Sequence, residues 1–387
     1  MTKLADRLER IKPFYVMDVL AKAKEMQQQG RNIIHLEVGE PDFPTPEIIK
    51  NAGIKAIKDS ELFYTPSLGI FELRKAIADF YQQRFSVPVN PENVVITTGA
   101  SAALFMLLAC LLNPDDELML CDPGYPCNFN FAHFLSARIN RVKVNQHSLY
   151  QLTAASVQQH WTATTRTVLI ASPSNPTGTL ISLIELKKIY NFVKQQGATL
   201  IVDEIYQGLV YELEAQTAAS ISSDIIIINS FSKYFQMTGW RLGWCIVPDS
   251  LLSSIDKLSQ NLYLAPPTSP QWAAIAAFEK ESIKILEQRR EIFKQRRDFL
   301  YQQLLALGFK IPVKPSGAFY LYADCSQFTD DSKQFCYDVL QHTGVAITPG
   351  ADFGNNNAEK YVRFAYTQDI QILAEAVTRI KKYIDLI

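Results

Sequence analysis

Six short apolar runs punctuate the middle of this chain, and each stops at a small or polar residue. Val94-Val95-Ile96-Thr97 stops at Gly99, and Glu117-Leu118-Met119-Leu120-Cys121 stops at Asp122-Pro123-Gly124. Thr167-Val168-Leu169-Ile170-Ala171 stops at Ser172-Pro173, and Thr199-Leu200-Ile201-Val202 stops at Asp203-Glu204. Ile225-Ile226-Ile227-Ile228 runs into the segment holding Lys233, and Gly243-Trp244-Cys245-Ile246-Val247-Pro248 closes the series. Continuous β-branched runs of this length suit strands covered on both faces. Helical patterns separate them, the first beginning at Ser101. Strands alternating with helices predict an α/β fold whose large domain is a mostly parallel sheet flanked by helices. Ligands in such sheets collect beyond the carboxyl ends of the strands. The unusual polar residues fall at those ends: Gly99, Asn175, Asp203 and Lys233.

After Pro267 the pattern changes. Residues from Ser282 to about Leu307 read as one long helix whose charged run, Glu287-Gln288-Arg289-Arg290-Glu291, is expected to be a solvated face. Short strands follow at Ala318-Phe319-Tyr320-Leu321-Tyr322 and Tyr361-Val362-Arg363-Phe364-Ala365, then a last helix from Ile370 toward Ile387. The expected organisation is a large domain over 45–281 and a smaller α+β domain formed by both termini, from 1–44 and 282–387.

Composition narrows the function classes. The 387 residues are 48% hydrophobic and 20% charged, with a net charge of -1. That balance argues against nucleic acid or an anionic membrane as the main partner. No apolar stretch is long enough to span a bilayer. The first seven residues are charged and lack a signal peptide's apolar core, so the cytoplasm is the expected location. The six cysteines form no C-x-x-C pair and read as free, mostly buried thiols. The five histidines are scattered without ligand spacing, so no metal site is expected.

The chemistry concentrates in Ser230-Phe231-Ser232-Lys233-Tyr234-Phe235-Gln236-Met237-Thr238-Gly239-Trp240-Arg241. A lysine at the mouth of a buried strand is desolvated, so its amine can be neutral and nucleophilic. Hydroxyls and an arginine beside it suit a phosphate. Together they suggest a lysine that forms an imine with a phosphorylated aldehyde, which describes pyridoxal phosphate. Taken alone, the same lysine also reads as a surface residue in a turn. Asp203, ending the preceding strand, needs a cationic partner, and a pyridinium nitrogen supplies one. Helix N-capping is its other reading. Tyr206 could donate to the ring's phenolic oxygen or simply pack a helix. Asn175, in the proline-braced Ser172-Pro173-Ser174-Asn175-Pro176-Thr177-Gly178, could present its amide to the same oxygen or belong to a plain turn. Ala100 and Ser101 open a helix whose N–H groups could hold an anion. Tyr125 could stack on a flat ring or seal the core edge.

In this order the segments resemble the class I and II aminotransferases of pyridoxal-phosphate fold type I, from Gly39-Glu40-Pro41-Asp42-Phe43 to Arg363. Tyr64-Thr65-Pro66-Ser67-Leu68-Gly69 also fits the family. The resemblance implies a transfer of an amino group from an L-amino acid to a 2-oxo acid, 2-oxoglutarate or pyruvate. It implies that Lys233 carries the cofactor and shuttles a proton, that Asp203 pairs with the ring nitrogen, and that Tyr206 and Asn175 contact the phenolic oxygen. Ala100, Ser101, Ser230 and Arg241 would bind the phosphate. Tyr64 would reach the phosphate of a neighbouring subunit, making the active unit a homodimer. Arg363 would clamp the substrate's α-carboxylate, and Gly39 would let it approach the backbone. One departure stands out. Some aspartate-specific relatives carry a lysine where this chain has Ser101, so a preference for dicarboxylates is not expected. A C–S lyase on the same scaffold is the alternative activity. A non-catalytic regulator is disfavoured by the intact lysine and aspartate and by the lack of a DNA-binding segment.

Overall fold

The computed structural model describes residues 2–59 and 62–386. Helix α1 (Tyr15–Gln28) leads into β1 (Ile34–His35), and α2 (Glu47–Asp59) and α3 (Phe71–Phe85) follow. The central series is β2 (Val94–Thr97), α4 (Ala100–Leu111), β3 (Glu117–Asp122), α5 (Pro126–Phe134), β4 (Arg138–Lys143), α6 (Ala154–Gln159), β5 (Thr165–Ala171), α7 (Leu183–Gln195), β6 (Thr199–Asp203), β7 (Ile226–Ser230) and β8 (Gly243–Ile246). Then come α8 (Asp249–Leu262), α9 (Thr268–Ile275), the long α10 (Lys280–Ala306), β9 (Tyr320–Asp324), α11 (Ser332–Thr343), β10 (Val345–Ala346), β11 (Thr348–Pro349), β12 (Tyr361–Ala365) and α12 (Ile370–Ile384).

Seven strands form one sheet in the order β2-β8-β7-β6-β5-β3-β4. All neighbours are parallel except those of β8, which runs antiparallel to β2 and β7. β7 shows why its sequence is continuously apolar. Ile226 and Ile228 pack with Leu104, Leu107 and Ile255 from α4 and α8, while Ile227 packs in the cluster on the other face with Val202 and Trp244. Each such buried isoleucine contributes about 1.5–3 kcal/mol relative to exposure. β4 escaped the sequence reading. It is an edge strand, Arg138-Ile139-Asn140-Arg141-Val142-Lys143, and carries polar residues a central strand would not.

The two ends of the chain meet away from this sheet. β1 pairs in parallel with β10, and β11, β12 and β9 make an antiparallel sheet. Val19, Ala23 and Met26 of α1 pack with Leu340 and Ala346. The charged run at 287–291 is not the solvated face expected of it. Glu287 accepts from Arg84 (2.9 Å), Tyr234 (2.6 Å) and Arg290 (2.6 Å), and Arg289 donates to the Pro44 carbonyl at 2.7 Å and to Gln236. Further along α10, Arg296 is 1% exposed and grips Asp42 with both Nη atoms at 2.7 and 2.9 Å. These pairs tie α10 to the N-terminal stretch and the large sheet, and they need partners far away in sequence. All six cysteines are free, and four of them are buried. Among the described residues no helix is long and apolar enough to cross a membrane.

Candidate functional site

A cavity of about 310 Å³ opens where β5, β6 and β7 end and α4 begins, walled by α1 and by the strands β9 and β12. Lys233 lies three residues beyond the end of β7, in a turn that the backbone ties down. The Phe231 N–H donates to Leu242 (3.1 Å), the Met237 N–H to Phe231 (2.9 Å), and the Thr238 hydroxyl to the Ser232 carbonyl (3.0 Å). The Lys233 Nζ donates to the Gly39 carbonyl at 2.6 Å. Burial pulls its pKa down to about 8, helped by the cations Arg363 and Arg241 and opposed by Glu40 and Asp203. A neutral, nucleophilic amine is therefore accessible near neutral pH.

Asp203 ends β6 and is buried. Turns follow it rather than a helix, so it is not a helix N-cap. Its Oδ1 accepts from the Ile205 N–H at 3.0 Å, and Oδ2 has no partner among the described residues. Burial pushes its pKa up to about 6, against the pull of that N–H and of Lys233. A carboxylate in this state would gain from a cation placed in the cavity.

Arg363, near the middle of β12, lies between two aromatic rings. Its guanidinium carbon is 4.2 Å from the Tyr320 ring centre and 4.8 Å from that of Phe353. Nη1 donates to Asn175 Oδ1 at 2.9 Å, and Nη2 donates to the Glu37 carbonyl at 2.5 Å and the Thr348 hydroxyl at 3.3 Å. Nε is buried without a partner. Asn175 thus spends its oxygen on the arginine and keeps its amide N–H groups for something else. The Tyr206 and Tyr320 hydroxyls lie 2.8 Å apart. Burial raises the Tyr206 pKa well above its ordinary value. Gly39 is glycine for a steric reason, since a Cβ there would overlap the Tyr320 hydroxyl.

The opposite end has the donors and the room that an anion would need. Gly99, at φ 85°, caps α4, and a Cβ on it would sit 2.9 Å from Arg241 Nη2. The N–H groups of Ala100 and Ser101 open the helix and so find no intrahelical acceptor. Ser230 lines the cavity, although its hydroxyl already accepts from the Ser232 N–H (3.0 Å) and donates to the Leu242 carbonyl (3.3 Å). Ser232 and Thr238 join it in the lining, and Tyr125 stands where α5 begins. Of the residues singled out from sequence, Gly99 and Tyr64 do not line this cavity; Gly99 adjoins it at the start of α4, and Tyr64 is 82% exposed.

The sequence reading missed one wall. Phe14, Val16, Met17 and Leu20 of the N-terminal segment, with Leu104 and Phe353, give the cavity an apolar side. It also missed Tyr320. The strand alternation that sets Tyr320 and Tyr322 on one face, paired with the strand of Arg363, was the available signal.

The family model for aminotransferase class I and II matches residues 31–380. A valine–pyruvate aminotransferase of Mycobacterium tuberculosis is 37% identical, with 97% of each chain covered. A (5-formylfuran-3-yl)methyl phosphate transaminase of Methanocaldococcus jannaschii is 36% identical over 99% of this chain and 100% of its own. The crystal structure of an aminotransferase from Mycobacterium tuberculosis superposes with a TM-score of 0.96 at 36% identity, covering 100% of both chains. Enzymes of this family depend on pyridoxal phosphate in general. With likeness of sequence and of fold running the length of the molecule, the chain belongs to the class I and II aminotransferases and is a transaminase.

Proposed function

We propose that the chain moves an amino group from an apolar L-amino acid to a 2-oxo acid, 2-oxoglutarate or pyruvate, with pyridoxal phosphate carried by Lys233. The observation that carries this reading is the desolvated Lys233 amine sharing one cavity with Asp203, Arg363 and the start of α4. The residues fit that cofactor. Asp203 is a buried carboxylate short of a cation, the amide of Asn175 is unspent, and Gly99 leaves room beside Arg241 for an anion.

Bound pyridoxal phosphate supplies an electron sink conjugated to the substrate's Cα. Asp203 holds the ring nitrogen protonated and so keeps that sink effective. Tyr206 and Asn175 donate to the phenolic oxygen. Ala100, Ser101, Ser230 and Arg241 hold the phosphate, with Ser232 and Thr238 added from the cavity lining, and Tyr125 packs on the ring. Arg363 takes the α-carboxylate, which satisfies its unpaired Nε–H. Gly39 admits that carboxylate beside the backbone. With Cα so placed, the neutral Lys233 Nζ would take the Cα proton and deliver it to C4′ of the cofactor.

The substrate's side chain meets Val16, Met17, Leu20 and Leu104, and Ser101 sets no cation among them. That supports an apolar donor. Phe63 and Tyr64 are 70% and 82% exposed, which supports a homodimer in which Tyr64 reaches the partner's cofactor phosphate. The test is a panel of L-amino acids offered with 2-oxoglutarate and with pyruvate. Reversible exchange of amino groups is expected, with valine, leucine or phenylalanine ahead of aspartate. Release of thiol, ammonia and pyruvate from a cysteine conjugate, without exchange, would move the chain to the lyases.

A further inference from the structure

A second cavity, of about 380 Å³, lies outside the first and shares Phe14, Pro126 and Asp352 with it. Its cations come from two separate segments: Arg10 and Lys12 precede α1, while Arg141 stands on the edge strand β4 with His133 beside it on α5. Arg141 is half-buried and its guanidinium carbon lies 3.9 Å from the centre of the Phe129 ring. Among the described residues its side chain makes neither a hydrogen bond nor an ion pair. His133 Nδ1 is buried and has no partner either.

Among the described residues, two of the nearby acids, Asp122 and Asp352, are already occupied, and Glu359 is not. Burial lowers the Arg141 pKa and Asp122 opposes that, but the Asp122 carboxylate already accepts from the Asn355 N–H at 3.1 and 3.2 Å and from the Asn356 N–H at 3.3 Å. Asp352 accepts from the Tyr15 and Val16 N–H groups at 2.7 and 2.9 Å, capping α1. Glu359 is exposed at the rim. The three cations in this cavity therefore keep unspent donors, and the Arg141 guanidinium, seated over the Phe129 ring, has its N–H groups available for an anion.

We infer that this outer chamber is an anion subsite that takes the distal carboxylate or phosphate of an elongated substrate whose α-carboxylate rests on Arg363. The inference deepens the reading of the inner cavity as a transaminase site and rests on it. Between the two charged ends the substrate's stem runs past Phe14, Pro126 and Asp352, the residues common to both chambers. Two chambers in series let one enzyme take an apolar donor in the inner wall and an anion-tipped partner that extends outward. The cation absent at Ser101 is then supplied farther out, on a different element.

The test uses the holoenzyme and three 2-oxo acids of equal chain length, ending in methyl, carboxylate or phosphonate. Wild type is expected to prefer the two anion-tipped acceptors. In Arg141→Gln their kcat/KM should fall about tenfold or more, while the methyl-ended acceptor, which has nothing to place in the outer chamber, should change less than about threefold. Arg141→Lys should recover part of the loss, more for phosphonate than for carboxylate if the fork's geometry matters to the latter. Calorimetric binding of adipate against hexanoate, in wild type and Arg141→Gln, repeats the comparison without turnover. Equal losses for all three acceptors would assign Arg141 a structural role, and unchanged discrimination in kinetics and binding would remove the subsite; both overturn the inference. Failure of the transaminase reading itself looks different, because the methyl-ended acceptor would then not be turned over by wild type.

Discussion

Arg363, at the floor of the inner cavity, donates to Asn175, Glu37 and Thr348, whereas Val16, Met17 and Leu20 in its wall offer hydrocarbon. The floor is buried, and its polar groups hold one another: Tyr206 meets Tyr320, and Lys233 meets the Gly39 carbonyl. Such a network fixes positions to fractions of an ångström, which proton transfer at one carbon requires. The wall fixes shape alone. An apolar wall separates substrates by about 1–3 kcal/mol per methylene, far less than a fixed ion pair does. The floor meets what all amino acids share, and the wall meets what distinguishes them. Substitutions in the floor should therefore cost rate for every substrate, and those in the wall should reorder substrates.

The largest effect is expected at Lys233. Lys233→Ala should lower kcat by about 10⁴-fold or more, because it removes the group that carries the proton. Stopped-flow measurement of the half-reaction checks this, and a loss below about tenfold would take Lys233 out of the floor. Asp203→Asn follows, with about 100-fold or more lost in kcat for every donor.

The same variant should stabilise the cofactor-free protein. The Asp203 pKa is raised from 3.8 to about 6 on folding, so the folded state holds more protons in that window and wild type loses stability as pH rises through it. Asparagine has no such loss, so its melting temperature should exceed that of wild type by a few degrees above pH 6 and match it near pH 4. Lys233 has the opposite slope, since its pKa falls from 10.5 to about 8 and stability is regained as pH rises between those values. Scanning calorimetry from pH 4 to pH 10 reads both arms.

Arg363→Lys should raise KM about tenfold or more for all donors alike, because the ammonium cannot replace the fork that Asn175 and Glu37 orient. Loss confined to one donor would separate Arg363 from the α-carboxylate. The smallest and most selective effect belongs to the wall. Met17→Arg places a cation where the chain has none and should shift kcat/KM toward glutamate over leucine by about tenfold, with little change in kcat. A uniform loss would show that α1 does not meet the substrate's side chain.

The floor was legible in sequence because its residues interrupt strong patterns. Asp203 and Lys233 sit where β-branched runs stop, and Asn175 sits between prolines. The wall was not legible, because an amphipathic helix that lines a cavity is written like one that lines a core. Val19, Ala23 and Met26 of α1 enter the core while Val16, Met17 and Leu20 reach the cavity, and nothing in the residue types separates the two faces. β4 hid for another reason: an edge strand with three cations and an asparagine among six residues carries a weak β signal. Arg296 and Arg297 were hidden by distance, since their partners Asp42 and Glu212 lie 254 and 85 residues away. The role of Tyr320 depends on Tyr206, 114 residues earlier.

The assignment of Lys233 as the cofactor's anchor decides the floor and wall together, and one chemical measurement tests it. The purified holoenzyme is reduced with borohydride, digested, and its peptides are weighed. One modified peptide is expected, spanning Lys233 and carrying the mass of the reduced cofactor. A label on any other lysine, or none on a protein that binds the cofactor, would contradict the account.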